Sequence, residues 1–221
     1  MRTDRIGAID EKGDVIWADQ MMILFAREVI AKKPGSPIII DVKCSQALVD
    51  EVERAGGKPI MWKTGHSFIK HKMRETNALL GGELSGHIFF KERWYGFDDG
   101  LYAGARLLEI LSHTQKTSSE IFRSLPNSIN TPELKIPMPD EQKVVFMQAF
   151  IRQADFRGAR INTIDGLRAD YADAWGLVRS SNTSPCLTLR FEADTEENLG
   201  YVKELFRRQL LRVDKNLRLP F

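Results

Sequence analysis

The first 111 residues alternate between short apolar runs typical of buried strands and amphipathic segments typical of helices. A strand pair is predicted within residues 1–16. Asp19 is predicted to cap a helix over Gln20–Lys32, and the β-branched run at 37–42 predicts a buried strand. The same periodicities predict further helices at Ser45–Ala55, Ser67–Ala78 and Gly100–Leu111, and further strands at Pro59–Lys63 and Ile88–Lys91. This alternation favours a layered α/β domain with a mixed sheet.

The character of the chain changes at residues 112–139, which are polar at first and then carry prolines at 132, 137 and 139. This composition predicts a hinge or linker. Beyond it, helices are predicted at Glu141–Gln153 and Thr195–Leu211, the latter capped by Thr195. Short strands are predicted at 159–164, 167–171, 174–180 and 186–193. The second domain is therefore predicted to be a smaller α+β domain, an antiparallel sheet with helices.

Composition narrows the functional classes. The chain has 221 residues, 43% of them hydrophobic and 28% charged, with a net charge of +2. Such a mild charge, without a basic stripe, disfavours nucleic acid as a partner. No apolar run approaches the roughly 20 residues of a membrane span, and the polar N-terminus is unlike a secretory signal. Cys44 and Cys186 lie far apart and are predicted to be free thiols, so we expect a cytoplasmic protein without a membrane partner.

A polar loop between two predicted strands is the first candidate site. Residues 179–185 read Arg-Ser-Ser-Asn-Thr-Ser-Pro and offer a guanidinium, hydroxyls, an amide and backbone N–H groups. Phosphate binding needs this mixture of charged and neutral donors. A polar hairpin turn explains the composition equally well.

Two further candidate sites lie next to predicted strands of the first domain. In the glycine-rich segment 81–87, Glu83 and Ser85 would point to one side of an extended loop and could bind sugar hydroxyls. A glycine-rich loop entering a strand is the alternative. His66, in a strand-to-helix turn, could cap the helix or act as an acid–base group. Lys43 could bind anionic oxygens or be a surface charge, and Asp4 by itself cannot hold Mg²⁺.

Four motifs follow one another along the chain: Asp-Arg-Ile-Gly at 4–7, Lys-Thr-Gly-His at 63–66, Gly-Glu-Leu-Ser-Gly-His at 82–87 and Arg-Ser-Ser-Asn-Thr-Ser-Pro at 179–185. Taken in this order, they resemble the motifs of the α-D-phosphohexomutase family. The stretch 89–111 is similar to the bacterial phosphomannomutase/phosphoglucomutase branch of that family. Four motifs in the right order make chance agreement improbable and favour the functional interpretation of each.

The resemblance implies four domains around a cleft that interconverts hexose 1-phosphate and hexose 6-phosphate of mannose or glucose. A phosphoserine in the first domain donates the phosphoryl group, Mg²⁺ is held by three aspartates of the second, and hexose 1,6-bisphosphate is the intermediate and activator. The implied substrate-binding residues are Lys43, Glu83, Ser85, Arg179, Ser181, Asn182 and Thr183; the catalytic ones are Arg5, His66 and His87, with His87 as proton acceptor; the metal ligand is Asp4.

The chain departs from the family pattern near its start, where only Asp4 and Arg5 of the metal loop are present. By resemblance, 1–13 is a remnant of domain two, 14–125 the sugar-recognition domain and 126–221 the phosphate-binding domain. We therefore expect no mutase activity from this chain alone. Alternatives are a non-catalytic phosphosugar-binding module, or a fragment that assembles with separate N-terminal domains. An exposed apolar face at 21–25 would favour assembly, whereas a core stripe of the helix would not.

Overall fold

The structure, a computed structural model, describes residues 3–221. They form two compact units, one ending at Asn127 and the other spanning Ser128–Phe221. Met1 and Arg2, the first two residues of the segment 1–13 assigned by resemblance to domain two, lie outside the described residues. Both cysteines are free, as predicted, and both are buried. Within residues 3–221, no helix is both long and apolar enough to cross a membrane.

The first unit is the predicted layered α/β domain with a mixed sheet. The elements are β1 Ala8–Ile9, β2 Val15–Ile16, α1 Ala18–Lys32, β3 Pro37–Asp41, α2 Gln46–Arg54, β4 Lys58–Trp62, α3 His66–Thr76, β5 Leu80–Gly82, β6 Ile88–Phe90, α4 Gly100–Ser112 and α5 Ser118–Arg123. Four strands lie in the order β4-β3-β5-β6, with β3 parallel to β4 and β5, and β6 antiparallel to β5. A separate hairpin joins β1 to β2.

Helices cover both faces of this sheet, which explains the continuous apolar run of β3. Ile38 and Ile40 face the core that includes α1, α2 and α4, while Ile39 packs with α3 on the other face. The stretch 21–25 of α1 is buried in the larger core, with no residue more than 7% exposed. It is therefore a core stripe, and it gives no support to docking of a further domain through that face.

Strand β5 was missed by the sequence prediction, which treated its glycines as a loop. A Cβ on Gly81 would lie 2.8 Å from the Met73 sulfur of α3, and a Cβ on Gly82 would lie 2.6 Å from the Met22 sulfur of α1. Only glycine lets helices approach this strand so closely on both faces. The glycines thus permit close packing against a buried strand.

The predicted cap of α1 is wrong, because the helix begins at Ala18 with Trp17 as the N-cap. Asp19 is buried, and its carboxylate accepts a hydrogen bond from the backbone N–H of Ser45 at 3.1 Å. The side chain therefore ties α1 to the start of α2. A long-range partner of this kind leaves no local sequence signal.

The second unit is the predicted α+β domain. Its elements are β7 Ile129–Asn130, β8 Leu134–Pro137, α6 Asp140–Gln153, β9 Arg160–Asn162, β10 Leu167–Asp170, β11 Ala174–Ser180, β12 Cys186–Ala193 and α7 Glu196–Val213. The sheet is antiparallel in the order β7-β12-β11-β10-β9, with β8 also paired to β12. Thr195 caps the last helix as predicted, accepting a hydrogen bond from the Asn198 N–H at 3.1 Å.

The predicted linker at 112–139 is largely structured. Helix α5 starts with a capping box at Thr117, and its Phe122 is buried in the core of the first unit. Strands β7 and β8 both pair with β12 in the second unit. The prolines that suggested a hinge flank or end strand β8, where the missing N–H costs little at the edge of a sheet.

Candidate functional site

In the first unit, polar residues follow the carboxyl ends of the parallel strands β3, β4 and β5. Asp41 ends β3, Gly65 follows β4, and Glu83 follows β5. The Gly65 N–H donates to Glu83 Oε1 at 3.0 Å, and the Thr64 hydroxyl donates to Asp41 Oδ2 at 3.3 Å. Ligands of open α/β sheets bind at this edge. We call Lys43, Glu83, Ser85 and His87 together the strand-end site.

Glu83 is the buried centre of the strand-end site, with only 3% of its surface exposed. Ser85 Oγ donates to Glu83 Oε2 at 3.0 Å, so the two predicted sugar-binding side chains touch each other. The loop that carries them is a turn and is not extended, because the Gly86 N–H bonds back to the Glu83 carbonyl. Burial raises the pKa of the Glu83 carboxyl above its usual value, and the charge of Asp41 raises it further.

Lys43 and His66 occupy different environments. Lys43 is 8% exposed, with its Nζ 4.0 Å from Asp41 Oδ2, so the surface-charge interpretation is wrong. His66 is exposed and is the first residue of α3, whose N-cap is Gly65, so His66 does not cap the helix. The His66 and His87 rings lie 5.8 Å apart, which places His66 beside the strand-end site.

His87 is bound on both ring nitrogens. Its Nδ1 lies 2.7 Å from Asp98 Oδ2 and 3.1 Å from the Asp4 carbonyl, while Arg5 Nε donates to its Nε2 at 2.9 Å. The hydrogen bond to Asp98 raises the pKa of His87 above its usual value. The N–H of Arg5, in contrast, needs the lone pair of Nε2. These contacts therefore fit a neutral ring that carries its proton on Nδ1, towards Asp98, and its lone pair on Nε2, towards Arg5.

Two glycines hold the segment that carries Asp4 and Arg5 against the strand-end site. Gly86 has a φ of +90°, and a Cβ there would lie 2.5 Å from the carbonyl oxygen of Ile6. The Ile6 N–H donates to the Gly86 carbonyl at 3.0 Å, and the Gly100 N–H donates to the Thr3 carbonyl at 2.9 Å. A Cβ on Gly100 would collide with the Arg5 carbonyl. This close approach of the backbone at both glycines thus brings the Arg5 side chain into contact with His87.

The chemistry of the neighbouring carboxylates is compatible with a cation. Asp4, His87 and Asp98 each offer a ligand atom, and these atoms lie within 4.8 Å of one another. Asp4 Oδ1 and Asp98 Oδ1 are buried and have no hydrogen-bond partner among the described residues. Mg²⁺ prefers such oxygens, whereas the His87 nitrogens are engaged by Asp98 and Arg5. Asp4 therefore fits the role of a single carboxylate ligand.

In the second unit, Arg179 lies at the end of β11, just before the hairpin loop, the name we give to residues 181–185. Its Nε donates to Asp165 Oδ2 at 2.8 Å, and the side chain is only 4% exposed. Its Nη2 is buried and has no hydrogen-bond partner among residues 3–221. The turn that carries Asp165 packs on Arg179 through Gly166, whose φ is +83° and whose Cβ would lie 2.7 Å from the Arg179 Cα. The orientation of Arg179 is thus fixed by these contacts, and its Nη2 can still donate a hydrogen bond to a ligand.

The hairpin loop is held by its own backbone and by one lysine. Ser181 Oγ accepts the N–H groups of Thr183 at 3.3 Å and Ser184 at 3.2 Å. Lys143 of α6 donates to the carbonyls of Ser181 at 2.7 Å and Ser184 at 3.1 Å. Ser181 is buried, while Asn182 and Thr183 are exposed. The two tip residues are therefore on the surface, where a ligand can approach them.

Each unit thus gathers its own share of the candidate residues. The first unit brings Arg5, His66, Glu83, Ser85 and His87 together, and the second brings Arg179 next to Ser181, Asn182 and Thr183. Sequence reasoning missed four supporting residues: Asp41, Asp98, Asp165 and Lys143. Asp98 falls in the quoted stretch 89–111 and Asp165 in a predicted turn, but nothing in the local sequence indicates which side chain each one meets.

Both units match known family models. Residues 17–129 match the alpha/beta/alpha domain III of phosphoglucomutase/phosphomannomutase, and residues 133–209 match the C-terminal domain of the same family. The resemblance inferred from the four motifs and the predicted fold class are confirmed by these matches.

Relatives of known name agree with the family models. A phosphomannomutase/phosphoglucomutase of Pseudomonas putida is 53% identical over 99% of this chain and 47% of its own length. A phosphoglucomutase of Neisseria meningitidis is 50% identical over 92% of this chain and 45% of its own length.

A solved family structure from Burkholderia thailandensis superimposes with a TM-score of 0.93 at 48% identity, covering 99% of this chain and 46% of that one. The chain thus spans about half the length of the relatives it matches. It belongs to the phosphoglucomutase/phosphomannomutase family, of which it carries domain III and the C-terminal domain.

Proposed function

We propose that this chain forms the sugar- and phosphate-binding half of a phosphohexomutase that interconverts the 1- and 6-phosphates of glucose or mannose. The observation that carries the proposal is Arg179: a guanidinium 4% exposed, fixed by Asp165, with a buried Nη2 that lacks a partner among the described residues. An unpaired buried donor of this kind is costly unless a ligand completes it. A phosphate oxygen at the hairpin loop would do so.

The phosphate that does not react would bind the hairpin loop. Arg179 would supply charge-assisted hydrogen bonds, and Ser181, Asn182 and Thr183 would supply neutral donors around the remaining oxygens. A firm grip on this phosphate lets hexose 1,6-bisphosphate present either end for reaction. We propose the bisphosphate as the intermediate and activator for this reason.

Glu83 and Ser85 would form hydrogen bonds with the sugar hydroxyls. The Glu83 carboxylate is held by Gly65 and Ser85, so its remaining lone pairs have fixed directions. Two adjacent hydroxyls of a hexose can donate to one such carboxylate in either orientation of the sugar. Lys43 and His66, from neighbouring strand ends, would contact anionic or hydroxyl oxygens of the same ligand.

His87 would accept the proton of the hydroxyl that attacks the phosphoryl group. Asp98 holds the ring through Nδ1, which leaves Nε2 as the basic atom. Arg5 now occupies Nε2, so a substrate hydroxyl has to displace it. A positioned base of this kind contributes to phosphoryl transfer alongside charge stabilisation. Asp98 acts here as a positioning residue.

Asp4 would hold Mg²⁺ together with groups from outside these 221 residues, and that cation would neutralise charge on the transferring phosphoryl group. The nucleophilic phosphoserine would likewise come from N-terminal domains, which we propose as partners. Free cysteines fit a reducing compartment, and we place the protein in the cytoplasm. A coupled mutase assay on this chain alone should give no turnover. Turnover near that of a full-length relative would overturn this division of roles.

Calorimetric titration with glucose 1-phosphate tests the phosphate clamp. Arg179→Lys keeps the charge but loses the planar fork, so the affinity should fall about 10-fold or more. Arg152→Lys, an exposed position on α6 of the same unit, is the matched control and should change little. Equal affinity of the chain and Arg179→Lys would exclude Arg179 as the phosphate ligand.

A further inference from the structure

A groove of about 560 Å³ runs along α3 in the first unit, outside the strand-end site. It lies between α3 and the loop that follows β6. Helix α3 starts at the carboxyl ends of the strands and runs back towards their amino ends. Its middle and last turns therefore lie away from Glu83. The side chains that give the groove its character are Ser67, Lys70, Arg74, Lys91, Tyr95 and Phe97.

Three cations line this groove without a carboxylate partner in residues 3–221. Lys70 and Arg74 are one helical turn apart on α3, and Lys91 follows β6 directly. The nearby acids are engaged elsewhere, because Glu75 pairs with Lys72 at 2.7 Å. Glu92 pairs with Arg106 and Arg93 at 2.9 and 3.2 Å. Like charges at this spacing repel each other, and a bound anion would relieve the repulsion.

An aromatic pair forms the other wall of the groove. Tyr95 is 73% exposed and Phe97 is 59% exposed, and their rings stack with centroids 5.4 Å apart. Large aromatic side chains this open to solvent offer a face on which the ring of a ligand can stack. Cations beside an open aromatic face match a phosphate joined to a ring.

We propose that this groove binds a phosphate ester whose organic part is a ring. The phosphate meets Lys70, Arg74 and Lys91, with the Ser67 hydroxyl as a neutral donor, and the ring lies on Tyr95 and Phe97. A nucleotide and a phosphosugar share this chemistry. The site is separate from the strand-end site and the hairpin loop, so it does not depend on the proposed function. Its volume is within the range of small-molecule sites.

NMR titration of the isotope-labelled chain tests the proposal with three probes: ADP, glucose 1-phosphate and inorganic phosphate. We expect shifts of the backbone amides at 67–74 and 95–97 with ADP or glucose 1-phosphate. The probe that binds more tightly identifies the source of the ester. Shifts confined to 83–87 and 179–183 with all three probes would overturn the groove and leave the proposed function standing.

Variants separate a built site from diffuse attraction. The double variant Lys70→Gln/Arg74→Gln should weaken ADP or glucose 1-phosphate at the groove about 10-fold or more, since two charge-assisted hydrogen bonds are lost. Lys72→Gln, on the same helix but paired with Glu75, is the control and should change affinity less than about 2-fold. An equal loss in Lys72→Gln would contradict a specific site. Tyr95→Ala should weaken binding of the phosphate ester but leave the affinity for inorganic phosphate unchanged. Equal weakening of both would refute stacking of the ligand ring on the aromatic wall.

Discussion

The strand-end site and the hairpin loop are built in opposite ways. The strand-end site collects side chains from segments far apart in sequence, as in the contact of Arg5 with His87 across 82 residues. The hairpin loop is one continuous stretch between β11 and β12. Within it, the Ser181 hydroxyl accepts hydrogen bonds from the N–H groups of Thr183 and Ser184. Contacts between distant segments tie the strand-end site to the integrity of its domain. The hairpin loop is a local turn, which Lys143 of α6 supports from outside.

The two sites also handle charge differently. Glu83 is buried beside Asp41, and burial raises the pKa of its carboxyl. Beside the hairpin loop, by contrast, the buried cations Arg179 and Lys143 each pair with a carboxylate, and Asn182 and Thr183 are open to water. Because the raised pKa belongs to a carboxylate of the strand-end site, that site should respond to pH more strongly than the hairpin loop.

The largest effect should come from Gly86→Ala. A side chain at φ +90° is strained, and its Cβ would press on the Ile6 carbonyl 2.5 Å away. We expect the free energy of unfolding to fall by about 2–4 kcal/mol in urea denaturation. Gly13→Ala is the control, because Gly13 has the same φ of +90° but open space around it. Equal losses in both variants would mean that the contact with the Thr3–Ile6 segment contributes nothing.

A smaller loss is expected from Lys143→Met, which removes the donor shared by the Ser181 and Ser184 carbonyls. Leaving these carbonyls without their donor should cost about 1–3 kcal/mol of unfolding free energy. Lys135→Met, an exposed position on β8, makes the same chemical change and should cost little. If Lys143→Met is as stable as Lys135→Met, the hairpin loop is held by its own backbone alone.

Glu83→Gln should change the pH dependence of stability. Because the pKa of folded Glu83 is raised above 4.5, the folded state keeps a proton that the unfolded chain releases. Stability from this group is present below about pH 4.5 and is lost as pH rises through the folded pKa. Relative to the unchanged chain, Glu83→Gln should therefore gain stability from pH 4.5 upwards in thermal melts. Glu53→Gln, exposed on α2, controls for losing a charge, and a pH-independent difference for Glu83→Gln would refute the buried-charge account.

The smallest effect on stability should come from Asn182→Ala at the tip of the hairpin loop. Asn182 is exposed, so the free energy of unfolding should change by less than about 0.5 kcal/mol. Affinity for glucose 1-phosphate, measured by calorimetry, should fall several-fold because one neutral donor is removed. An unchanged affinity would remove Asn182 from the clamp.

The same difference explains what the sequence could predict. The hairpin loop and the Thr195 cap are local, and residue types and spacing indicate both. Asp19, β5 and the partner of Asp98 depend on distant neighbours: Ser45 for Asp19, the sulfurs of Met22 and Met73 for the β5 glycines, and His87 for Asp98. The periodicity of hydrophobic and polar residues carries no information about such contacts between distant residues. The family motifs pointed to Glu83 and His87 as candidate site residues, but not to the carboxylates Asp41 and Asp98 that raise their pKa values.

Chemical-shift mapping with mannose 1-phosphate and glucose 1-phosphate tests most directly whether one chain carries both a sugar-binding site and a phosphate clamp, as we claim. We expect shifts at Glu83–His87 and at Arg179–Thr183 with both ligands. Of these two sites, inorganic phosphate should shift only the hairpin loop and Arg179, since it has no sugar hydroxyls to present to Glu83. Absence of shifts at both sites with millimolar phosphosugar would contradict the claim.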